Sequence, residues 1–186
     1  AEQAAAPARP AKQESPSVSA IVSQIIGGKT TPPQYSEGSE LYKKARAEAD
    51  SMTPSGALNK SDEYISNTND EEKRSQYRIV QIAFLESAAA RGMKGAIAHL
   101  ARFYDGKDDE KYIAWAKYGA NLGDSSSINR LAYSYERGYN GLQKNLQTAL
   151  KLAEAAKAAA KGSRTEEVEA NMLIREIKGQ IEDDKL

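Results

Sequence analysis

The chain repeats itself at an offset of 31 residues, and this constrains its fold more than any other feature. Phe84-Leu-Glu-Ser-Ala-Ala-Ala-Arg-Gly92 aligns with Trp115-Ala-Lys-Tyr-Gly-Ala-Asn-Leu-Gly123. Each segment reads as an aromatic residue, three variable ones, two small ones, two more variable ones and a glycine. The same offset carries Ile97 onto Ile128, Leu100 onto Leu131, Ala101 onto Ala132 and Tyr104 onto Tyr135. A helical pattern with a period of about 30–40 residues is the signature of stacked helix pairs, each burying its apolar face against its neighbours. The expectation is an all-α chain: a short right-handed α-solenoid of antiparallel helix hairpins with capping helices.

Helix signals divide the rest of the chain. Val18, Ile21, Val22, Ile25 and Ile26 make one apolar stripe on a short helix that Gly27-Gly28 stops. That stripe either docks back on the body of the protein or binds a partner. Thr31-Pro32-Pro33 keeps the following backbone extended. Gly28-Lys29-Thr30 is not a phosphate-binding loop, because the glycine required five residues earlier is Ser23 and prolines follow where a helix must begin. Ser39 caps a helix to about Ser51, and Thr53 to Lys60 reads as a loop. Asn69 or Asp70 caps a helix to about Arg91, with Ile79, Ile82, Ala83, Leu85 or Glu86, and Ala89 on its buried side. Further helices are expected at about 95–105, 108–122, 125–137, 145–161 and 164–182. The last carries Ala170, Leu173, Ile174, Ile177 and Ile181 on one side, the pattern of a terminal cap. Three regions follow: a tether over 1–17, a helical and loop segment over 18–68, and a repeat region with its cap over 69–186.

The second unit runs Leu131-Ala-Tyr-Ser-Tyr135, Gly138, Gly141-Leu142, Lys144-Asn145, Ala149 and Ala155-Ala156. This order resembles Sel1-like repeats, relatives of the tetratricopeptide repeat, over about residues 80–162. The turn is one residue longer than the family's, Asn145 stands in the Asp place, and the preceding turn shrinks to Gly106-Lys-Asp-Asp. The third Ala-Ala pair is out of step, since glycine follows only at Gly162. The resemblance implies protein–protein interaction rather than catalysis.

Composition excludes several chemistries. Lys and Arg number 26 and Asp and Glu 26, so there is no basic field of the kind that binds nucleic acid. Cysteine is absent, which removes disulfide and thiolate–metal sites. No apolar run is long enough for a membrane span. His99 is the single histidine, and no Gly-x-Ser-x-Gly elbow accompanies it. Asp108-Asp109-Glu110 suits the start of a helix, where carboxylates complement the positive end, and lacks the alternation of a calcium loop. We therefore expect no catalytic residue, cofactor or metal. Residues 1–16 are rich in Ala, Pro, Gln, Glu and Ser and begin with Ala1. Such a start suits an exported, periplasmic or envelope-associated bacterial protein with a signal or lipid anchor upstream.

The candidate partner-binding residues come from the repeat register. The offset pairs His99 with Arg130, Arg102 with Tyr133 and Phe103 with Ser134, and Arg137 follows on the second helix. These positions lie opposite Leu100, Tyr104, Leu131 and Tyr135, so they are expected on an outward, concave strip rich in Arg and aromatic residues. The expected function is a non-catalytic binding module of the bacterial envelope. One form is an immunity protein neutralising a secreted antibacterial toxin; the alternative is a scaffold or adaptor of an envelope complex. A small cell-wall-active enzyme using His99 is the third reading.

Overall fold

The computed structural model describes residues 17–35, 38–65 and 68–185. All but one residue of the expected tether, 1–17, lie outside them. The described residues hold helices and connecting segments and no strand. In chain order they form α1 (Val18–Ile26), α2 (Glu40–Ser51), α3 (Pro54–Ser61), a 3-10 turn (Asp62–Tyr64), α4 (Glu71–Ala90), α5 (Lys94–Tyr104), α6 (Asp109–Asn121), α7 (Ser125–Arg137), α8 (Leu146–Ala159) and α9 (Arg164–Asp183).

Local chemistry explains the boundaries. Eight helices begin behind a Ser, Thr, Asp or Asn whose side chain accepts a backbone N–H of the first turn, among them Asp108 from Lys111 at 3.0 Å and Asp124 from Ser127 at 2.9 Å. The exception is α5, which follows Met93 without a side-chain cap. Residues 53–60, expected as a loop, are instead mostly helix. Thr53 accepts the Gly56 N–H at 3.0 Å and Pro54 occupies the first turn, where its missing N–H costs nothing. The small, polar composition of α3 hid a helix whose buried face is little more than Ala57 and Ser61 against α4.

Packing follows chain order. α2 and α3 pack on α4; then α4 packs on α5, α5 on α6, α6 on α7, α7 on α8 and α8 on α9. Several apolar pairs of the 31-residue register share their environments. Phe84 and Trp115 are fully buried, as are Ile97 and Ile128, Leu100 and Leu131, and Ala101 and Ala132. Gly92 and Gly123 both take the left-handed conformation, φ 85° and 72°, that lets the chain leave a helix without a Cβ clash. Gly119 serves differently: a Cβ there would lie 2.1 Å from Ser127 Oγ, so only glycine lets α6 approach α7. Full burial of each large apolar side chain stabilises the core by about 1.5–3 kcal/mol.

The expected one-sided burial of α4 is too narrow. Residues 83–89 are all buried, because α2, α3 and α5 surround the second half of this helix. That enclosure brings the Glu86 carboxylate inside. Glu86, 2% exposed, accepts the Tyr42 hydroxyl at 2.5 Å, and Tyr104 approaches its other oxygen at 3.5 Å. At the exposed end of α4, Arg91 donates to the Ser87 carbonyl of its own helix and to the Ala49 carbonyl of α2, each at 3.0 Å, and so satisfies a backbone acceptor where α2 ends.

The α1 stripe docks rather than standing free: α1 packs on α8 and α6, and Val22 is fully buried. Past Gly28 the backbone runs along α6, held by Asn121 Nδ2 donating to Thr30 Oγ1 at 3.0 Å and by Lys111 over the Tyr35 ring at 4.8 Å. Thr30 is thus a docking residue, in keeping with the rejection of a phosphate loop. No helix among the described residues is long and apolar enough to cross a membrane.

Candidate protein-binding surface

The residues singled out by the repeat register lie on α5 and α7, and their environments differ. On α5, His99 and Arg102 are exposed, each flanked by core positions one or two residues away. On α7, Tyr133 is 40% exposed and meets Tyr139 edge to face, ring centroids 6.2 Å apart. Arg137 lies over the Tyr133 ring at 5.2 Å. Two aromatic rings and a guanidinium thus form one exposed patch at the end of α7, of the composition that dominates protein interfaces.

Arg137 is held in place by acids. Its Nε donates to Glu136 at 2.9 Å and its Nη2 to Glu176 of α9 at 2.6 Å. Glu136, chiefly, keeps the guanidinium pKa above its usual value. Glu136 is itself 2% exposed and also accepts Gln180 Nε2, so a buried carboxylate ties α7 to α9 behind the patch. The expected surface includes Arg137 but not Glu136, Glu176 or Gln180. The α9 residues fall outside the 31-residue register, which leaves no sequence signal for the link.

Three of the expected residues do not face fully outward. Ser134 is fully buried, donates to the Arg130 carbonyl at 3.0 Å and accepts Asn140 Nδ2 at 3.1 Å. The reason is the longer turn after α7: the Gly138 and Tyr139 N–H groups both return to the Ser134 carbonyl, folding the turn across that side of the helix. Arg130 is half-buried, with its Nε enclosed and making no hydrogen bond among the described residues. It neighbours the buried Tyr112. Burial pushes the Tyr112 phenol up, while Arg130 and Ser134 act in the opposite sense. Phe103, the register partner of Ser134, is half-buried and turns toward α4, where Arg78 lies 5.8 Å from its ring centre.

The register therefore brings together Tyr133 and Arg137, adds Tyr139 from the turn, and leaves His99 and Arg102 on the neighbouring unit. Among the described residues no hydrogen bond, ion pair or ring contact joins the α5 residues to those on α7. No three His, Asp or Glu side chains among the described residues converge as a metal-binding group. No protein-family model, curated protein or solved structure matches the chain.

Proposed function

We propose that the chain is a short right-handed α-solenoid of Sel1-like character and works as a non-catalytic protein-binding module. The observation that carries this reading is the contrast between paired positions. At the same register, Leu100 and Leu131 are buried while Arg102 and Tyr133 are exposed, and Tyr133 gathers Tyr139 and Arg137 around it. A packed helical frame that repeats its core and varies its outer residues is built to present side chains. Tyr and Arg on such a frame lose little freedom on binding, which makes them effective anchors.

The occupant we propose is a protein, either a secreted toxin held inactive or a component of an envelope assembly. A photo-crosslinking residue at position 133, compared with one at Lys161 on the exposed turn after α8, tests the reading in cells. We expect a discrete crosslinked protein from position 133 and none from 161. The product of an adjacent toxin gene in that adduct supports immunity, and an envelope component supports an adaptor. Equal labelling from both positions contradicts the surface assignment.

A further inference from the structure

A second surface lies where the first half of α4 meets the end of α5. A cavity of about 260 Å³ opens there, lined by Tyr64, Ile65, Arg74, Arg78, Phe103 and Lys107 together with one glutamine. Lys107 Nζ stands 4.5 Å from the Phe103 ring centre and the Arg78 guanidinium 5.8 Å. Neither cation has a carboxylate partner among the described residues, and the lining holds no acid. Arg74 is engaged, donating to the Thr68 carbonyl at 3.0 Å and pairing with Glu71 at 3.5 Å. The walls are fixed by rings: Tyr64 stacks on Phe84 at 5.8 Å and meets Tyr77 edge to face at 5.9 Å. Apolar surface surrounds the opening, with Ile65 60% and Tyr77 40% exposed.

We propose that this cavity receives an acidic side chain from a protein partner, its carboxylate set between Arg78 and Lys107 and its aliphatic stem against Phe103. Two cations at one ring, with no acid in the lining, leave the site positively charged, and a single carboxylate gains charge-assisted hydrogen bonds there. A carboxylate suits the site better than a phosphate. Glu71 and Glu72 in the first turn of α4 and the Asp70 cap set negative charge beside Arg74, which disfavours a dianion. The exposed Ile65 and Tyr77 extend the contact to apolar neighbours of the acid, so an acidic segment with interspersed aliphatic residues fits. This rests on the reading of the chain as a protein-binding module, but uses side chains other than Arg102 and Tyr133.

The test is a titration of the whole chain with the blocked peptide Glu-Glu-Leu-Glu-Glu, followed by nuclear magnetic resonance. Saturable shifts of the Phe103 ring and Arg78 Nε signals are expected. Affinity should fall about tenfold or more in Arg78→Gln with Lys107→Gln, and measurably in Lys107→Gln alone, which alters only an exposed turn. It should be unchanged in Lys157→Gln with Lys161→Gln and in Arg102→Ala with Tyr133→Ala. If the last variant loses a protein partner yet keeps the peptide, the two surfaces are separate. No shift at Phe103, or equal weakening by the remote lysine pair, overturns the proposal. So does inorganic phosphate that displaces the peptide at equal ionic strength and low millimolar concentration.

Discussion

At the scale of single residues, the buried Glu86 shows how burial and chemistry combine. Its carboxylate sits among two hydroxyls and the Arg46 guanidinium, 4.0 Å away, at the junction of α2, α4 and α5, and the Tyr42 O–H donated to it is a charge-assisted bond. The Tyr42 pKa is pushed up to about 12, first by burial and then by the hydrogen bond to Glu86. Neutral phenol is the form the fold favours, so the native state holds its proton over a range where the unfolded chain has released it. That contribution is complete below the ordinary phenol value of 10.0 and is lost as pH rises through about 12. Lysines titrate in the same range, so the informative quantity is a difference. The gap in melting temperature between the native chain and Tyr42→Phe should be about constant from pH 7 to 9 and shrink between pH 10 and 12. At neutral pH the substitution should cost about 1–3 kcal/mol. A gap that stays constant to pH 12 would show that the phenol is not held neutral by this junction.

Elements were legible where caps and periodicity agreed. Asp108, Asp124, Asn145 and Ser163 each precede an apolar-periodic run, and each caps a helix whose ends fall within two residues of expectation. α3 was not legible, because Pro-Ser-Gly composition carries turn signals and its burial depends on α4, far along the chain. Ser134 failed for a related reason: a repeat offset transfers position on a helix, not the turn that folds across it. Phe103 and Ser134 share a register and end in different surroundings because the chain returns over one and not the other. α9 illustrates what an end element must do. Its Ala170, Leu173 and Ile177 are buried, and it packs on both α8 and α7. Truncation after Gly162 strips that cover from α8 and also removes Glu176 and Gln180, the partners of Arg137 and Glu136. We expect the truncated protein to associate or precipitate and to lose cooperative melting. A soluble, monomeric product with a sharp transition would show that α9 is dispensable to the core.

At the scale of the molecule, the frame and the proposed binding residues are coupled through the register. Positions that repeat with equal burial build the frame, and on the proposed reading those that repeat with exposure but different chemistry are available to a partner. Net charge of zero means that the proposed recognition would rest on local patches rather than on a long-range field. The most direct test is calorimetric binding of the protein captured through position 133 to the native chain and to Arg102→Ala with Tyr133→Ala. Both side chains are exposed and neither belongs to the core, so melting temperature should change by no more than about a degree or two. Affinity should fall about tenfold or more, equivalent to about 1.4 kcal/mol. Normal binding by that variant, together with loss of binding when Ile21 and Ile25 of α1 are replaced by serine, would contradict the account and place recognition on the docked N-terminal helix.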